Sequence, residues 1–99
     1  MYRTGFGKDF LQLTEGRELW IGGVQVPHHK GALGHSDADV LLHAICDALL
    51  GALAMGDIGE HFPPTEEKWK DFASEGFLRD AAARVEALGG RIVNLDVTI

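Results

Sequence analysis

From Asp39 to Leu50 the chain is apolar on almost every side, and the exceptions, Asp39, His43 and Asp47, recur at intervals of four. That spacing puts the three polar side chains on one face of a helix, and a helix apolar elsewhere is a buried one. Ser36 is a good N-cap with Asp39 three residues later, the capping-box spacing. The helix is therefore expected to start at Ser36 and to end near Gly51. A second helix is predicted over residues 75–88, capped by Ser74, with Phe77, Leu78, Ala81, Val85 and Leu88 as its buried stripe and Gly89-Gly90 as its stop. Residues 91–99 then change period: Val93, Leu95, Val97 and Ile99 alternate with Asn94, Asp96 and Thr98, the pattern of a half-buried strand.

The first third of the chain reads as short strands. Residues 2–11 suggest a strand interrupted by glycines, which mark a bulge or a close backbone approach. Thr14 to Arg17 reads as a turn. Glu18 to Ile21 and Val24 to Val26 flank Gly22-Gly23, a tight-hairpin signal, with Pro27 closing the second strand. His28 to His35 is expected to be loop, and residues 52–70 irregular, with Gly56, Gly59 and Pro63-Pro64 as breakers. The order suggests an α/β fold, a sheet covered by helices on one face, in a single domain over residues 1–99.

Composition narrows the function classes. With 99 residues, 45% hydrophobic and 24% charged, the chain has ordinary globular content, although a chain this short gains from partner subunits. A net charge of −6 and no basic run longer than a pair argue against nucleic acid and anionic membranes as partners. No stretch approaches the ~20 apolar residues of a membrane span, and the first ten residues lack the apolar core of a signal peptide. A single cysteine excludes an internal disulfide framework. A cytoplasmic location is expected.

Three groups could carry chemistry. Asp9 alone reads as a turn former or surface charge. His35-Ser36-Asp37-Ala38-Asp39 leads into His43 and Asp47; a helix N-terminus attracts phosphate, and His35 could add a donor. His43 is either a metal ligand whose second N–H is taken by Asp39 or Asp47, or part of the wet stripe of a buried helix. Asp57-Ile58-Gly59 with His61 to Glu66 is either a hydroxyl-binding loop or an ordinary connection. Cys46 sits among apolar neighbours and reads as a core residue. Trp20 and Trp69 read as packing residues. No histidine shows a standard zinc spacing, and no phosphate-binding loop of the GxxxxGK type is present.

Together, GFGKDFLQLTEGREL at 5–19, IGGVQVPHHKGALGHSDADVLLHAICDALLGALAMGDIG at 21–59 and the tail GGRIVNLDVTI resemble the 2-C-methyl-D-erythritol 2,4-cyclodiphosphate synthase family. The run from His35 to Gly59 is the most specific part. The resemblance implies an α/β fold of the α+β sandwich kind, with a mixed sheet, that forms a homotrimer with active sites between subunits. It also implies a cytidine diphosphate-linked substrate, closure of a cyclic diphosphate with loss of CMP, a zinc-type ion, and a second divalent ion such as magnesium or manganese. By position, Asp9 and His43 match two of the three protein ligands of the first metal. His35, the catalytic match, and Ser36 correspond to the pair near the reacting phosphate, with Asp9 also at the substrate. Asp57, Ile58 and Gly59 match a substrate loop that includes the ribose contact. Phe62, Pro63, Pro64, Thr65 and Glu66 match the next substrate loop.

Two positions depart from the family pattern. Leu11 stands where the family has a ligating histidine, which implies a weakened metal site, and Pro64 stands where it usually has aspartate. The pattern also continues past the terminal strand, into cytosine-pocket residues and a Thr–Glu segment. A fragment, a shortened form or a decayed copy is therefore expected, and the alternative to an enzyme is a non-catalytic homo-oligomeric relic that binds phosphate or nucleotide weakly.

Overall fold

A computed structural model describes residues 1–34, 36–69 and 72–99; the packing expected of the Trp69 side chain lies outside what is described. The hairpin forms where Gly22-Gly23 places it. Strands β2 (Leu19–Ile21) and β3 (Val24–Val26) pair antiparallel with Ile21 opposite Val24. The two turn residues have φ of 66° and 80°, the left-handed conformation that a two-residue hairpin turn needs and glycine supplies without steric cost.

The second ribbon was not expected. β1 (Leu13–Glu15) pairs antiparallel with β4 (Lys30–Ala32), Thr14 opposite Gly31. The segment from His28 to His35 is therefore not all loop, and Thr14 and Glu15 are strand rather than turn, which starts only at Gly16 with φ 82°. Gly31 is needed where β4 crosses the chain: a Cβ there would lie 2.1 Å from the Glu18 carbonyl oxygen. Arg17 fastens the crossing, donating from Nε to the Ala32 carbonyl at 3.1 Å and from Nη2 to the Ser36 carbonyl at 3.0 Å. The α/β class holds, with the sheet of the described residues divided into two small antiparallel ribbons.

Helices α1 (Val40–Ala52) and α3 (Ser74–Ala87) pack on each other and enclose the core of Cys46, Leu49, Leu50, Phe77 and Ala81. The stripe expected on α3 holds for Phe77 and Ala81, while Leu88, just past the last turn, is 58% exposed. Gly89 takes φ 75° and the Gly90 N–H reaches the Val85 carbonyl at 2.9 Å, so the glycine pair stops the helix as expected. α1 starts at Val40 rather than at Ser36, because Ala38 adopts φ 57° and breaks the helical path. Asp39 is the N-cap, accepting from the Leu42 N–H. Between the helices lie a one-turn helix, α2 (Ile58–His61), and a 3-10 turn at Glu67–Trp69.

Two expected strands do not form. Residues 2–11 make no ladder; instead they lie against α1, where added Cβ atoms at Gly5 and Gly7 would come within 1.9 and 1.8 Å of the Ala48 and Ala44 carbonyl oxygens. The close backbone approach read from these glycines is the reason for them. Residues 91–99 also find no hydrogen-bonding partner among the described residues, and Val93, Leu95, Val97 and Ile99 stay 45–82% exposed. An extended segment needs a neighbouring strand to satisfy its backbone, and the described residues provide none. No described helix is long and apolar enough to cross a membrane.

Candidate functional site

The site is built where the N-terminal segment crosses α1. Asp9 Oδ2 lies 3.3 Å from His43 Nδ1, with the two side chains 25% and 16% exposed. On the opposite edge of the ring, His43 Nε2 meets Ser74 Oγ at 2.8 Å and Ser36 Oγ at 3.2 Å. The ring therefore spans two groups, with the Phe77 ring 6.1 Å away.

Ser36 is buried, and its Oγ accepts from the Ala38 N–H at 3.2 Å; it forms a local turn rather than capping α1. Asp37 reaches across to α3. Its own N–H donates to the Phe72 carbonyl at 3.0 Å, its Oδ2 accepts from the Ser74 N–H at 2.9 Å, and its Oδ1 accepts from Ser74 Oγ. Ala73, the N-cap of α3, offers no side-chain bond, so Asp37 does the capping from another part of the chain. Ser74, expected as the cap itself, is fully buried inside this network.

Asp39 and Asp47 do not orient His43. Asp39 is 0% exposed and accepts from the N–H groups of Gly22 (2.9 Å), Gly23 (2.6 Å) and Leu42 (3.1 Å). It locks the hairpin to α1, so neither a wet stripe nor a histidine partner describes it. It also occupies the positive end of α1, which was expected to attract phosphate. Asp47 Oδ1 accepts from the Ile58 N–H at 2.9 Å, tying α1 to α2. Burial pushes the Asp47 carboxyl above its ordinary 3.8; the Ile58 N–H opposes this, the charges of Asp57 and Asp9 add to it, and His43 opposes it. Burial, helped by the charges of Asp47, Asp80 and Asp39, pushes the Cys46 thiol up to about 12, which suits a core residue and not a nucleophile.

Asp57 caps α2, its Oδ1 accepting from the Glu60 N–H at 3.0 Å. Ile58 packs against the core, and Gly59 is exposed. Phe62 is turned inward, its ring 4.6 Å from Phe77, while Pro63 is half-buried and Pro64, Thr65 and Glu66 are exposed. Leu11 faces an open apolar cavity of about 270 Å³ shared with Leu13, Ile21 and Val40. His35 lies outside the described residues. The residues to which the sequence assigns no role in the site are Asp37, Ser74 and Arg17. Only Asp37 carried a signal, as one of two acids inside the His35–Asp39 run.

No group of three or more metal-binding side chains occurs among the described residues. The pair that is present nevertheless has the spacing of two corners of a tetrahedron: bonds of about 2.0–2.1 Å to one ion set their ends about 3.3–3.4 Å apart, and Asp9 Oδ2 and His43 Nδ1 are 3.3 Å apart. The pair thus fits an ion with two protein bonds. Leu11 has no donor atom for a third.

The site thus joins an Asp–His pair at a chain crossing to a serine on the far ring nitrogen, within an α/β domain. The chain belongs to the YgbB family, whose pattern matches residues 2–99. It is 62% identical over 99 residues to 2-C-methyl-D-erythritol 2,4-cyclodiphosphate synthase of Chromobacterium violaceum, covering all of this chain and 63% of that protein. A solved structure of 2C-methyl-D-erythritol-2,4-cyclodiphosphate synthase superposes with a TM-score of 0.82 at 50% identity, covering 88% of this chain and 58% of that one. A CDP-bound form superposes with a TM-score of 0.81 at 49% identity, covering the same shares. The chain thus spans about three-fifths of the length of the synthases it matches and about a quarter of the bifunctional relatives.

Proposed function

We propose that this chain carries part of the active site of a 2-C-methyl-D-erythritol 2,4-cyclodiphosphate synthase, a lyase of isoprenoid biosynthesis. The substrate is 4-diphosphocytidyl-2-C-methyl-D-erythritol 2-phosphate. An oxygen of its 2-phosphate attacks the β-phosphorus, the bond from that phosphorus to the CMP phosphate oxygen breaks, and CMP leaves with the electron pair. Such a step needs positioning and charge neutralisation rather than a protein nucleophile. A divalent ion would supply the neutralisation; Asp9 and His43 would hold a zinc-type ion, and a second ion such as magnesium or manganese would accompany the diphosphate. His35 and Ser36 would bind beside the reacting phosphate. Asp57, Ile58 and Gly59 would form a substrate-binding loop that includes the ribose contact, and Phe62 to Glu66 would form the next. A homotrimer with sites between subunits and a cytoplasmic location belong to the same reading.

The observation that carries it is the 3.3 Å approach of Asp9 to His43, residues from distant parts of the chain, with a hydroxyl on the other ring nitrogen. Leu11 favours a second reading, a relic that still associates and binds phosphate weakly. Zinc calorimetry on the unaltered chain and on Leu11→His separates the two: a third donor should tighten zinc substantially if the site is the family's. Equal affinities would place the site elsewhere.

A further inference from the structure

We infer that Ser74, itself held by Asp37, is a positioning residue that fixes which nitrogen of His43 faces Asp9; this rests on the reading of the Asp9–His43 pair given above. Ser74 is fully buried at the first position of α3. Its hydroxyl proton goes to Asp37 Oδ1. With that proton committed, Ser74 Oγ can only accept from His43 Nε2, 2.8 Å away. Nε2 therefore carries a hydrogen, and the Nδ1 edge is the one turned toward Asp9 Oδ2 at 3.3 Å. A histidine that binds a cation through one nitrogen characteristically donates its other N–H to a fixed acceptor, and Ser74 is that acceptor.

Asp37 makes the acceptor rigid, because it binds both the backbone N–H and the hydroxyl of Ser74 while its own N–H holds the Phe72 carbonyl. Ser36 Oγ, at 3.2 Å from Nε2, already accepts from the Ala38 N–H and stands 3.5 Å from Ser74 Oγ. It is the secondary contact. The consequence is that α3, which supplies no residue to the metal pair, sets the orientation of the ring through its first turn.

The test uses the full chain labelled with 15N-histidine, read by long-range proton–nitrogen spectra of the His43 ring, together with zinc titration. The unaltered chain should show a protonated Nε2 in one fixed ring state. Ser74→Ala should give exchange-broadened or mixed tautomers and weaken zinc about tenfold, and Ser74→Thr should restore both. An unprotonated Nε2 in the unaltered chain overturns the proposal without any variant, and so does a folded Ser74→Ala chain with unchanged ring signals. If the unaltered chain binds no zinc, the metal reading of the site fails, and the ring spectra still decide the positioning role.

Discussion

Asp39→Asn is the sharpest probe of how the hairpin is attached to the helices. The carboxylate is 0% exposed and serves three backbone N–H groups: Oδ1 takes those of Gly22 and Leu42, and Oδ2 takes that of Gly23 at 2.6 Å. An amide of the same shape keeps one oxygen. Placed at the Oδ1 position, it preserves the helix cap and the Gly22 bond but sets an NH2 group against the Gly23 N–H. The loss is one charge-assisted hydrogen bond, worth about 1.5–3 kcal/mol, plus the cost of two donors facing each other. We expect Asp39→Asn to destabilise by roughly 2–3 kcal/mol and Asp39→Ala by roughly 4 kcal/mol, because alanine also removes a cap worth about 1 kcal/mol. For a domain of this size the asparagine variant should melt roughly 10–20 °C lower. Urea unfolding gives the free energies, and amide exchange at Gly23 gives the local effect. A loss below about 0.5 kcal/mol, or unchanged protection of the Gly23 amide, would refute the clamp.

Other outcomes follow from the same contacts. Cys46 should resist thiol reagents at pH 8 in the native chain and react fully in denaturant; because its folded value is raised from 9.0 to about 12, the native state holds its proton longer, and this contribution to stability is complete below pH 9 and lost as pH rises toward 12. Asp47 is likewise raised above 3.8, so its contribution to stability is complete below that pH and falls as pH rises through the folded value. Asp47→Asn, whose oxygen can still accept from the Ile58 N–H, should remove that fall and leave the chain at least as stable at pH 7 in chemical unfolding. Gly7→Ala should cost roughly 1–3 kcal/mol and loosen the N-terminal segment, since its methyl would lie 1.8 Å from the Ala44 carbonyl oxygen; proteolysis within residues 1–11 reads this out.

What the sequence reveals depends on how local each cause is. The hairpin is legible because Gly22-Gly23 encodes a backbone conformation that few other pairs adopt. The body of α1 is legible because its apolar surface is nearly continuous. Its start is not, because Ser36, Asp37 and Asp39 are all good caps and the choice among them is made by distant partners, Ser74 for Asp37 and the hairpin amides for Asp39. β4 is hidden for the same reason: its partner lies at Leu13–Glu15, and nothing in Lys30-Gly31-Ala32 alone announces it. In the site, Asp9 and His43 were paired only through resemblance, since no local pattern connects a residue in an irregular segment to one in the middle of a helix. The alternation in 91–99 is real, but a strand is a relation between two segments, and the described chain holds only one of them.

The left-handed turn at Ala38 has one more consequence. Its methyl is buried, at 1% exposure, and a Cβ added at Gly34 would lie 2.9 Å from it. Two methyl groups cannot occupy that space, so positions 34 and 38 share room for a single one. Alanine at 34 becomes admissible when glycine stands at 38, an exchange that also relieves the left-handed strain at 38. The two sites should therefore vary as a linked pair, with Gly34→Ala tolerated only alongside Ala38→Gly.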